Sequence, residues 1–484
     1  MKICVLQPDY STSQVDYKTY DPPRNLSRWL PEQEVVHIFL NKLTTYRQLQ
    51  ELQYEGFDIF INLCEGYLEW EVPSLDVIHY LELLNLPYTG PTALLYDPPK
   101  TLMKYVAFCE QVKTPDHVLI LPGDVPMQVT AELTYPLFVK PAKAGDSLGI
   151  NHQAKVNNPE ALTQQVNELR TQGYREILVE TYIAGREMTV LVAADPDGKQ
   201  VHSYQPVEYI FPEGYSFKTY ALKTSALHPN ANQLCTDPVL SANLRHAAEK
   251  IFRLFNGTGY ARMDFRVDAA GQLYFLEVNF TCSVFYTDGY EGSADYILQN
   301  DRGGQAAFLQ LIIEEGIARH RRKQKKFIMK GNALAGYGIY ANRPIGQGEI
   351  IFEGEGKAQR MITKRFVEKN WSADEQVTFS RYAYPLSAEV FLLWDDNPAE
   401  WAPQNHHCTA NTHYDGLNVV ASRHIHMGEE LTLDYAEFLD EHMMPFNCQC
   451  GSSNCRGRIE GRPGNTVTLR ESVHAKKNLT TAPL

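Results

Sequence analysis

The stretch that decides the fold is Gly259-Tyr-Ala-Arg-Met-Asp-Phe-Arg-Val-Asp-Ala-Ala-Gly-Gln-Leu-Tyr-Phe-Leu-Glu-Val-Asn279. Apolar and polar residues alternate on both sides of Asp268-Ala-Ala-Gly271, and this pattern predicts a β-hairpin. Side chains on a strand repeat with a period of two. Arg262 and Asp264 are therefore expected on one face of the first strand, and Glu277 and Asn279 on one face of the second.

If the two faces coincide, two carboxylates, a carboxamide and a guanidinium meet at one spot. Such a set suits a hard cation such as Mg²⁺, with an arginine beside it to hold an anion. The alternative is a solvated hairpin face with a cross-strand ion pair. The apolar residues in between disfavour free exposure of both strands, and they are Met263, Phe265, Leu276 and Val278. The stretch therefore favours a metal site.

The bulk composition describes an ordinary globular protein of several domains. The chain has 484 residues, of which 44% are hydrophobic and 21% charged, a length that predicts two to four domains. A net charge of −13 argues against a general nucleic-acid binder. No window is apolar for the ~20 residues of a membrane span, and Met1-Lys-Ile-Cys-Val-Leu6 reads as a first strand rather than a signal peptide. Nine cysteines, an odd count, are scattered as far as Cys282 and cluster only near the C-terminus, which favours a reducing cytoplasm and a metal site over a disulfide framework.

The first 95 residues predict a small parallel α/β layer. Ile3–Leu6, Val35–Leu40 and Phe57–Leu63 are short apolar runs separated by segments with helical spacing. Asn62-Leu-Cys-Glu-Gly66 follows the third run, at the strand end where such sheets bind ligands. Glu65 is therefore expected either to contact a substrate or to cap a helix.

Three later segments carry candidate binding residues. Asp97-Pro-Pro-Lys100 predicts a helix start with Asp97 as the cap and Pro98 in the first turn, which places Lys100 and Lys104 on one face. Two lysines on a helix face are commonly just solvated. Tyr135–Gly149 predicts a strand that ends in Lys140 and a loop that can lay backbone N–H groups against phosphate. Ile177–Glu187 predicts two strands around Gly185, with acids at Glu180 and Glu187.

In combination these motifs resemble ATP-grasp carboxylate–amine ligases, in particular the relatives of D-alanine–D-alanine ligase. The motifs that carry the resemblance occur in the family's order over roughly residues 1–320, and they are Val139-Lys-Pro-Ala142, Val179-Glu180…Gly185-Arg-Glu187, Arg262…Asp264 and Leu276-Glu-Val-Asn279. The resemblance implies that Lys104 and Lys140 contact ATP and that Glu180 and Glu187 hold adenosine.

The same resemblance implies that Asp264, Glu277 and Asn279 bind Mg²⁺ and that Arg262 steadies an acyl-phosphate intermediate. The chemistry agrees with these residue types, because a carboxylate is activated by phosphorylation and metal ions neutralise charge on the transferring phosphoryl group.

The chain departs from the family at three places. Gln7-Pro-Asp-Tyr-Ser-Thr-Ser13 lacks the glycine-rich, glutamate-bearing turn that D-alanine ligases use for their first substrate. Asp146 replaces a small hydroxyl residue in the phosphate-side loop and would repel phosphate. Thr281-Cys-Ser-Val-Phe285 replaces a small, proline-containing segment. These departures bear on D-alanine as the substrate rather than on the nucleotide site.

A basic run, Arg319-His-Arg-Arg-Lys-Gln-Lys-Lys326, follows the helical segment Gly303–Ala318. It is interpreted as a helix C-terminus with an exposed linker, where cations suit the helix dipole. A nucleic-acid patch is the alternative.

From Phe327 onward, short strand patterns with many glycines resemble a SET domain. The elements appear in the family's order over residues 328–460, and they are Gly336-Tyr-Gly-Ile-Tyr, Asn405-His-His-Cys-Thr-Ala-Asn411, Gly428-Glu-Glu-Leu-Thr-Leu-Asp-Tyr435 and Cys448-Gln-Cys-Gly-Ser-Ser-Asn-Cys455. The set implies a protein-lysine methyltransferase that uses S-adenosylmethionine.

The Cys448–Cys455 segment indicates a metal site independently of the resemblance. Cys448, Cys450 and Cys455 lie within eight residues and can take three corners of a tetrahedral Zn²⁺ site. Cys408 is the nearest upstream cysteine for the fourth corner, with His406 and His407 as alternatives. Four buried thiols without a metal are the other interpretation.

By resemblance, the backbone of Gly336, Tyr337 and Gly338 binds the methyl donor together with Asn405 and His406. Tyr435 lines the transfer channel and positions the amine. Tyr382 matches a second channel tyrosine, and core packing is an equal alternative for it.

Leu433 stands where relatives carry the aromatic residue that limits the number of methyl groups, so more than one methylation is expected. The departures in this half are Pro403 and Gln404 before the Asn-His pair, and Ala410 where proline is expected. They bear on the identity of the substrate.

The predicted fold is a multidomain α/β chain, an ATP-grasp fold (a pre-ATP-grasp α/β layer plus two α+β subdomains) followed by a mostly-β SET domain. The predicted boundaries are 1–96 for the pre-ATP-grasp domain, 97–320 for the ATP-grasp domain, 321–327 for a basic linker, 328–445 for the SET domain, 446–460 for the post-SET zinc segment and 461–484 for a tail.

The leading hypothesis is a ligase fused to a methyltransferase. It requires ATP, Mg²⁺, S-adenosylmethionine and Zn²⁺, a small carboxylate and amine as ligase substrates, and a protein or peptide lysine as methyl acceptor. One alternative treats the ATP-grasp half as a nucleotide-binding regulatory or docking module. Another treats the C-terminal half as a recruitment module that does not methylate.

Overall fold

The chain divides into two units, Met1–Lys323 and Gln324–Leu484. The computed structural model describes residues 1–13, 21–66, 71–143, 148–219, 231–287, 289–357, 359–394 and 404–462. Asp146, Pro403 and most of the predicted tail therefore lie outside the described residues. Each unit has hydrophobic clusters of its own.

The first layer is a three-stranded parallel sheet, as predicted. Its elements are β1 (Lys2–Pro8), β2 (Glu34–Leu40), α1 (Thr45–Leu52), β3 (Ile59–Asn62) and α2 (Leu75–Leu83). The strand order is β2-β1-β3, and both pairs are parallel. The middle strand is almost entirely buried, which explains its continuous apolar run.

The next helix, α3 (Lys100–Cys109), carries Lys100 and Lys104. It begins later than expected, at Lys100, with Pro99 as the capping residue. The predictions of Asp97 as the cap and Pro98 in the first turn were therefore wrong. The reason is steric, because a proline disfavours the helical conformation of the residue before it, and Pro98 precedes Pro99.

A four-stranded sheet follows, with the order β4-β7-β5-β6. Its elements are β4 (His117–Ile120), α4 (Pro126–Val129), β5 (Leu137–Pro141), β6 (Lys155–Val156), α5 (Pro159–Thr171) and β7 (Ile177–Thr181). Lys140 lies on β5 and Glu180 on the adjacent β7. This sheet therefore brings the two predicted nucleotide contacts close together.

A second, antiparallel sheet has the order β11-β10-β8-β12-β13, with β9 paired to β8. Its elements are β8 (Arg186–Ala194), β9 (Val201–Ser203), β10 (Val207–Tyr209), β11 (Asn232–Leu234), α6 (Pro238–Leu254), β12 (Tyr260–Val267) and β13 (Leu273–Asn279). Strands β12 and β13 are the predicted hairpin. Gly185 connects β7 to β8 and so crosses from one sheet to the other.

The first unit ends in α7 (Ser293–Gln299) and α8 (Gly304–Lys323). The last turn of α8 contains His320, Arg321, Arg322 and Lys323. Most of the basic run is thus the C-terminal turn of a helix, where positive charge is favourable.

In its described residues, the second unit consists of short strands and two α-helices. Its strands are β14 (Phe327–Asn332), β15 (Gly336–Ala341), β16 (Ile350–Phe352), β17 (Met361–Thr363), β18 (Tyr384–Pro385), β19 (Val390–Leu392), β20 (Asn405–His406), β21 (Thr412–Asp415), β22 (Asn418–Ala421), β23 (Thr432–Leu433), β24 (Phe446–Asn447) and β25 (Arg458–Ile459). The helices are α9 (Lys364–Asn370) and α10 (Ala373–Tyr382). The parallel pair β20–β23 sets the Asn405-His406 segment beside the strand that leads to Tyr435.

Among the described residues, none of the helices combines the length and the apolar character needed to cross a membrane.

Candidate active sites

The hairpin presents its four polar residues on one face, as the alternation predicts. Arg262 lies opposite Asn279, and Asp264 lies opposite Glu277. The register shifts after Asp264, so the polar pairs lie on the regular side of this bulge. Opposed residues on neighbouring strands have their side chains close together. The fold therefore assembles two carboxylates, a carboxamide and a guanidinium.

Asp264 is fixed from two sides. The hydroxyl of Thr189 donates to Oδ1 of Asp264 at 2.6 Å, and Nη2 of Arg262 lies 3.4 Å from Oδ2. Burial opposes ionisation of this carboxyl, but Arg262 and Lys218 outweigh that effect, so the pKa of Asp264 lies below its usual range. Asp264 is therefore a carboxylate at neutral pH.

Glu277 is paired with a lysine that was predicted to share a helix face but was not predicted as a site residue. Nζ of Lys100 lies 2.9 Å from Oε2 of Glu277, and Lys100 is 5% exposed. Burial lowers the pKa of Lys100, but the carboxylate of Glu277 more than compensates and raises it. Helix α3 thus delivers a cation to the edge of the hairpin.

The third predicted metal ligand, Asn279, has a buried amide nitrogen with no hydrogen-bond partner among the described residues. Rotation of the Asn279 amide group by 180° exchanges its two atoms and places Oδ1 where Nδ2 now lies. An unsatisfied amide next to Asp264 and Glu277 fits an oxygen-preferring cation such as Mg²⁺, whose protein ligands are carboxylates and carbonyls. The donor set on this face thus suits the metal.

Glu180 lies between two lysines. Its Oε1 is 2.6 Å from Nζ of Lys140, and its Oε2 is 2.8 Å from Nζ of Lys104. Burial would raise the pKa of Glu180, but Lys104 and then Lys140 lower it to about 2. Lys140 and Glu180 line a cavity, whereas Lys104, at 2% exposure, lies against Glu180. The three residues form one ionic cluster at the cavity wall.

Glu187 is also held by two cations. Oε1 lies 3.1 Å from Nζ of Lys218, and Oε2 lies 3.0 Å from Nη2 of Arg266. No motif pointed to either cation. Arg266 had a usable signal, because it continues the alternation of Arg262 and Asp264 along β12. Lys218 follows Phe217 in a segment without periodicity, so its sequence carries no such signal.

The cavity beside these charges has aromatic and aliphatic walls. Phe138 and Phe217 pack edge to face with ring centroids 5.0 Å apart, and Tyr182, Ile150 and Leu276 complete the apolar lining. A cavity with these apolar walls and with Lys140, Glu180 and Glu187 in its lining can hold an aromatic base, with cations nearby for an anionic tail.

A second cavity lies at the other end of the hairpin face, lined in part by Glu65, Lys100, Arg262, Asn279 and Ser283. Glu65 accepts a hydrogen bond from Ser283 Oγ at 2.6 Å and from Arg24 Nη1 at 3.2 Å. Helix α2 begins after Ser74, so Glu65 does not cap that helix. Its position at this cavity agrees with the alternative that it contacts a substrate.

In the second unit, Asn405 connects three distant segments. Its Nδ2 donates to the carbonyl of Tyr337 at 2.7 Å and to Oε1 of Glu430 at 2.7 Å. A Cβ added at Gly338 would lie 2.3 Å from that Glu430 oxygen, so a larger residue there would displace the Glu430 side chain that Asn405 binds. Gly336, Tyr337 and Gly338 lie on β15. The predicted donor-binding residues are thus neighbours.

Tyr435 and His406 are joined by a short network. The backbone N–H of Tyr435 donates to Nδ1 of His406 at 3.2 Å, and the Tyr435 hydroxyl donates to the carbonyl of Gln404. Burial lowers the pKa of His406, and burial followed by nearby tyrosines raises the pKa of Tyr435. Both side chains are therefore neutral at pH 7.

Tyr382 is 40% exposed and lines a cavity of the second unit. Trp394, Tyr384 and Tyr414 line the same cavity, and the Tyr382 and Trp394 rings are 6.0 Å apart. Tyr384 was not predicted as a site residue.

The four predicted thiols form a compact cluster. The sulfurs of Cys408, Cys448, Cys450 and Cys455 all lie within 4.8 Å of one another, and Cys408 Sγ is 3.9 Å from Cys448 Sγ. Four sulfurs on a tetrahedron around zinc are about 3.8 Å apart, given Zn–S bonds of about 2.3 Å. The cluster therefore fits Zn²⁺ with Cys408 as the fourth ligand.

The histidine alternatives have other partners. Nδ1 of His406 accepts from Tyr435, and Nδ1 of His407 accepts from the backbone N–H of Thr409 at 3.1 Å. Nε2 of His406 lies 3.4 Å from the sulfur of Cys408, which connects the thiol cluster to the Asn405–His406 segment.

Comparison with known proteins places both units. The family model of the D-ala D-ala ligase C-terminus matches residues 103–285, and the SET domain model matches residues 336–436. The D-alanine–D-alanine ligase of Burkholderia vietnamiensis is 33% identical over 247 residues, which are 48% of this chain and 72% of that protein. That of Nitrosomonas eutropha is 30% identical over 236 residues, again 48% of this chain and 72% of that protein.

Among solved structures, the D-alanine–D-alanine ligase of Bacillus anthracis complexed with ATP has the same fold. It superposes with a TM-score of 0.50 at 20% identity and covers 67% of this chain and 100% of that one. With the two family matches and the curated relatives, the conclusion follows that this chain belongs to the D-alanine–D-alanine ligase family, with an ATP-grasp fold, and carries a SET domain at its C-terminal end.

Proposed function

We propose that the protein is bifunctional: an ATP- and Mg²⁺-dependent carboxylate–amine ligase joined to an S-adenosylmethionine-dependent protein-lysine N-methyltransferase. The single observation that carries the ligase half is the hairpin face, where Arg262, Asp264, Glu277 and Asn279 meet between two cavities. The one that carries the methyltransferase half is the convergence of Tyr337, Asn405, His406 and Tyr435.

In the ligase half, Asp264, Glu277 and Asn279 would hold Mg²⁺, which when bound neutralises charge on a triphosphate. Phe138 and Phe217 form one apolar wall against which the base would pack, and Lys140 contributes positive charge at the cavity wall. Arg262 lies on the other side of Asp264, toward the second cavity, where its guanidinium can stabilise negative charge on an activated carboxylate.

The substrates enter through the second cavity in this proposal. Glu65 offers a carboxylate there, which suits an ammonium group, and Arg262 offers a guanidinium, which suits a carboxylate. An amino acid carries both groups. The relatives are D-alanine ligases, but Gln7, near the end of β1, begins a segment that lacks their glycine-rich, glutamate-bearing turn, and its side chain binds the backbone of Arg24 at 2.7 and 3.1 Å. The acids and amines joined by this enzyme therefore form part of the proposal to be tested.

In the methyltransferase half, Tyr337, Gly338, Asn405 and His406 would hold S-adenosylmethionine, which supplies an electrophilic methyl group. The neutral Tyr435 hydroxyl and the carbonyl of Gln404 offer oxygens that orient a neutral lysine amine. Tyr382 lines the cavity by which a lysine side chain would approach. The thiol cluster would hold zinc as a structural ion, because four thiolate ligands leave no open position.

The test measures both reactions on the full chain. Phosphate release from ATP is followed with a panel of amino acids, and transfer of labelled methyl groups is followed on protein and peptide acceptors. Glu277→Ala should abolish the Mg²⁺-dependent reaction and leave methyl transfer intact, and Tyr435→Phe should do the reverse. Glu249→Ala and Tyr54→Phe serve as controls, because Glu249 pairs with Arg253 and Ser203 and lines neither cavity, and Tyr54 is 83% exposed. Retained ATP turnover in Glu277→Ala would remove the ligase proposal.

A second candidate is favoured by the ion pairs of the nucleotide cavity. Glu180 and Glu187 each already bind two cations, an arrangement that holds the cavity together without any substrate. In this candidate the first unit binds nucleotide as a regulatory or docking module for an active methyltransferase. Calorimetric binding of ATP without phosphate release across the whole panel would favour it over the ligase.

A further inference from the structure

Arg266 is a buried cation that no motif of the chain explains. It lies on β12, four residues after Arg262, and lines the same cavity as Asp264 and Glu187. Only 4% of it is exposed. A charged side chain is rarely buried to this degree unless it is paired and hydrogen-bonded, so its contacts indicate what it does.

Those contacts reach three separate segments. Nη1 donates to the carbonyl of Gly185 at 3.1 Å, and Nη2 donates to the carbonyl of Ser216 at 2.7 Å. Nη2 also lies 3.0 Å from Oε2 of Glu187, which is the residue opposite Arg266 in the sheet register. One guanidinium therefore ties together the crossover between the two sheets, strand β8 and the segment that precedes Phe217.

Each of these segments contributes a wall of the nucleotide cavity. The crossover carries Tyr182, whose hydroxyl also donates to the carbonyl of Ser216 at 2.9 Å. The segment after Ser216 carries Phe217 and Lys218 into the cavity. The position of both residues therefore depends on the carbonyl that Arg266 and Tyr182 share.

The crossover itself is built close to β12. Gly185 has a φ of 143°, and a Cβ there would lie 2.0 Å from the carbonyl oxygen of Val267. Only glycine tolerates that approach. Gly185 is thus held by two neighbouring residues at the end of β12: by the backbone of Val267 and by the hydrogen bond from Arg266.

The charges around Glu187 also indicate that Arg266 supports the nucleotide cavity. Glu187 is shared between Lys218 on Oε1 and Arg266 on Oε2. With Arg266 present, one carboxylate is neutralised by the guanidinium, and the Lys218 ammonium retains positive charge for an anionic ligand. Without it, Lys218 alone would neutralise Glu187.

We infer that Arg266 is the positioning residue of the nucleotide cavity, which sets Phe217 and Lys218 for a nucleoside triphosphate through Gly185, Ser216 and Glu187. This inference rests on the proposed nucleotide-binding function of the first unit. It assigns to Arg266 no contact with the nucleotide itself, because Nη1 and Nη2 already contact Gly185, Ser216 and Glu187.

The test compares ATP affinity, measured by calorimetry in the presence of Mg²⁺, for the wild type, Arg266→Ala and Arg266→Lys. Loss of the charge-assisted hydrogen bonds should weaken binding by about tenfold or more in Arg266→Ala, and lysine should recover part of it. Arg253→Ala is the matched control, because Arg253 makes its ion pair with Glu249 within α6. It should bind ATP like the wild type.

A chemical rescue separates positioning from general destabilisation. Millimolar guanidinium chloride should restore part of the ATP affinity of Arg266→Ala and leave the wild type unchanged, with sodium chloride at equal ionic strength as the reference. An affinity of Arg266→Ala equal to that of the wild type would overturn the inference, as would a loss that neither guanidinium nor lysine relieves. Absence of ATP binding by the wild type would instead overturn the proposed nucleotide site.

Discussion

Nζ of Lys100, on helix α3, lies 2.9 Å from Oε2 of Glu277, on the second strand of the hairpin. The pair joins the helix to Glu277, one of the predicted Mg²⁺ ligands. Because Lys100 also lines the second cavity together with Arg262 and Asn279, its ammonium can serve either the carboxylate or an incoming anion.

Replacement of Lys100 by methionine should therefore weaken binding of ATP in the presence of Mg²⁺. Without the ammonium, the carboxylate of Glu277 loses this cation, and its negative charge then faces the proposed triphosphate site, so we expect Kd to rise by about tenfold. Calorimetry on the full chain measures this directly. Lys250→Met is the control, because Lys250 pairs with Glu110. This variant should bind ATP like the wild type. An unchanged Kd for Lys100→Met would show that the ammonium does not serve the nucleotide.

The cluster of Glu180 with Lys104 and Lys140 should make stability depend on pH in the acid range. The pKa of Glu180 is about 2 in the folded chain, and that of an unfolded glutamate is about 4.3. A carboxyl with a lowered folded pKa stabilises the fold above the unfolded value, and this contribution is lost as pH falls toward the folded value.

We therefore expect the difference in free energy of unfolding between the wild type and Glu180→Gln to shrink from pH 5 to about pH 2, where Glu180 takes up its proton. Urea unfolding of both proteins at several pH values measures this difference. Glu208→Gln is a surface counterpart, since Glu208 pairs with a half-exposed Arg186. A gap between wild type and Glu180→Gln that stays constant down to pH 2 contradicts the assignment.

Removal of zinc should abolish methyl transfer by the second unit and leave ATP turnover by the first unit unchanged. Chelation, or Cys455→Ser, should release the ion, lower the stability of the second unit and abolish methyl transfer, because the thiol cluster includes Cys408 beside His406. Elemental analysis, methyl transfer and ATP turnover are measured on the same samples. Cys109→Ser is the control, because this exposed thiol lies on α3. Full methyl transfer in a zinc-free sample would refute the structural role of the metal.

Leu433 should set the number of methyl groups added. Its side chain is buried in the core that borders Tyr435, and leucine donates no hydrogen bond to an amine. We expect the wild type to add more than one methyl group and Leu433→Phe to shift the product toward monomethyl-lysine, because the ring takes up volume. Leu431→Phe overpacks the same core and costs about 1–3 kcal/mol, so it separates general destabilisation from a change in product. A strictly monomethyl product of the wild type, by mass spectrometry, would end this hypothesis.

Ligands should stabilise the two units separately. The units have distinct hydrophobic clusters, so scanning calorimetry should resolve two unfolding transitions. A ligand that binds only the folded form raises the transition of the unit that binds it. ATP with Mg²⁺ should therefore raise one transition and S-adenosylmethionine the other. A single transition raised equally by both ligands would contradict separate sites.

Much of this architecture was predictable because strong local patterns encode it. Two separate local patterns predict the hairpin: the alternation of apolar and polar residues along β12 and β13, and the turn residues Asp268–Gly271. The first layer follows from short buried runs, and the thiol cluster follows from the spacing of three cysteines. In the hairpin and in the three cysteines of the Cys448–Cys455 segment, neighbours in sequence are also neighbours in space, whereas Cys408 joins the cluster from 40 residues upstream.

The remaining parts depend on long-range contacts that no local pattern records. Lys100 and Lys218 are lysines whose burial is decided by Glu277 and Glu187, on other elements. Arg266 continued a visible alternation, yet its acceptors at Gly185 and Ser216 are backbone carbonyls with no sequence signature. The start of α3 was misplaced because two consecutive prolines shift a helix start in ways that a capping rule does not include.

The fourth thiol has a practical consequence for anyone who assays this enzyme. Cys408 lies three residues after Asn405, on the same short segment that would meet the methyl donor, and His406 lies 3.4 Å from its sulfur. If zinc fills the cluster, a preparation that is partly depleted of metal is a mixture of competent and incompetent molecules. Rates per mole of polypeptide would then vary between batches, and only rates per mole of bound zinc would compare from one laboratory to the next.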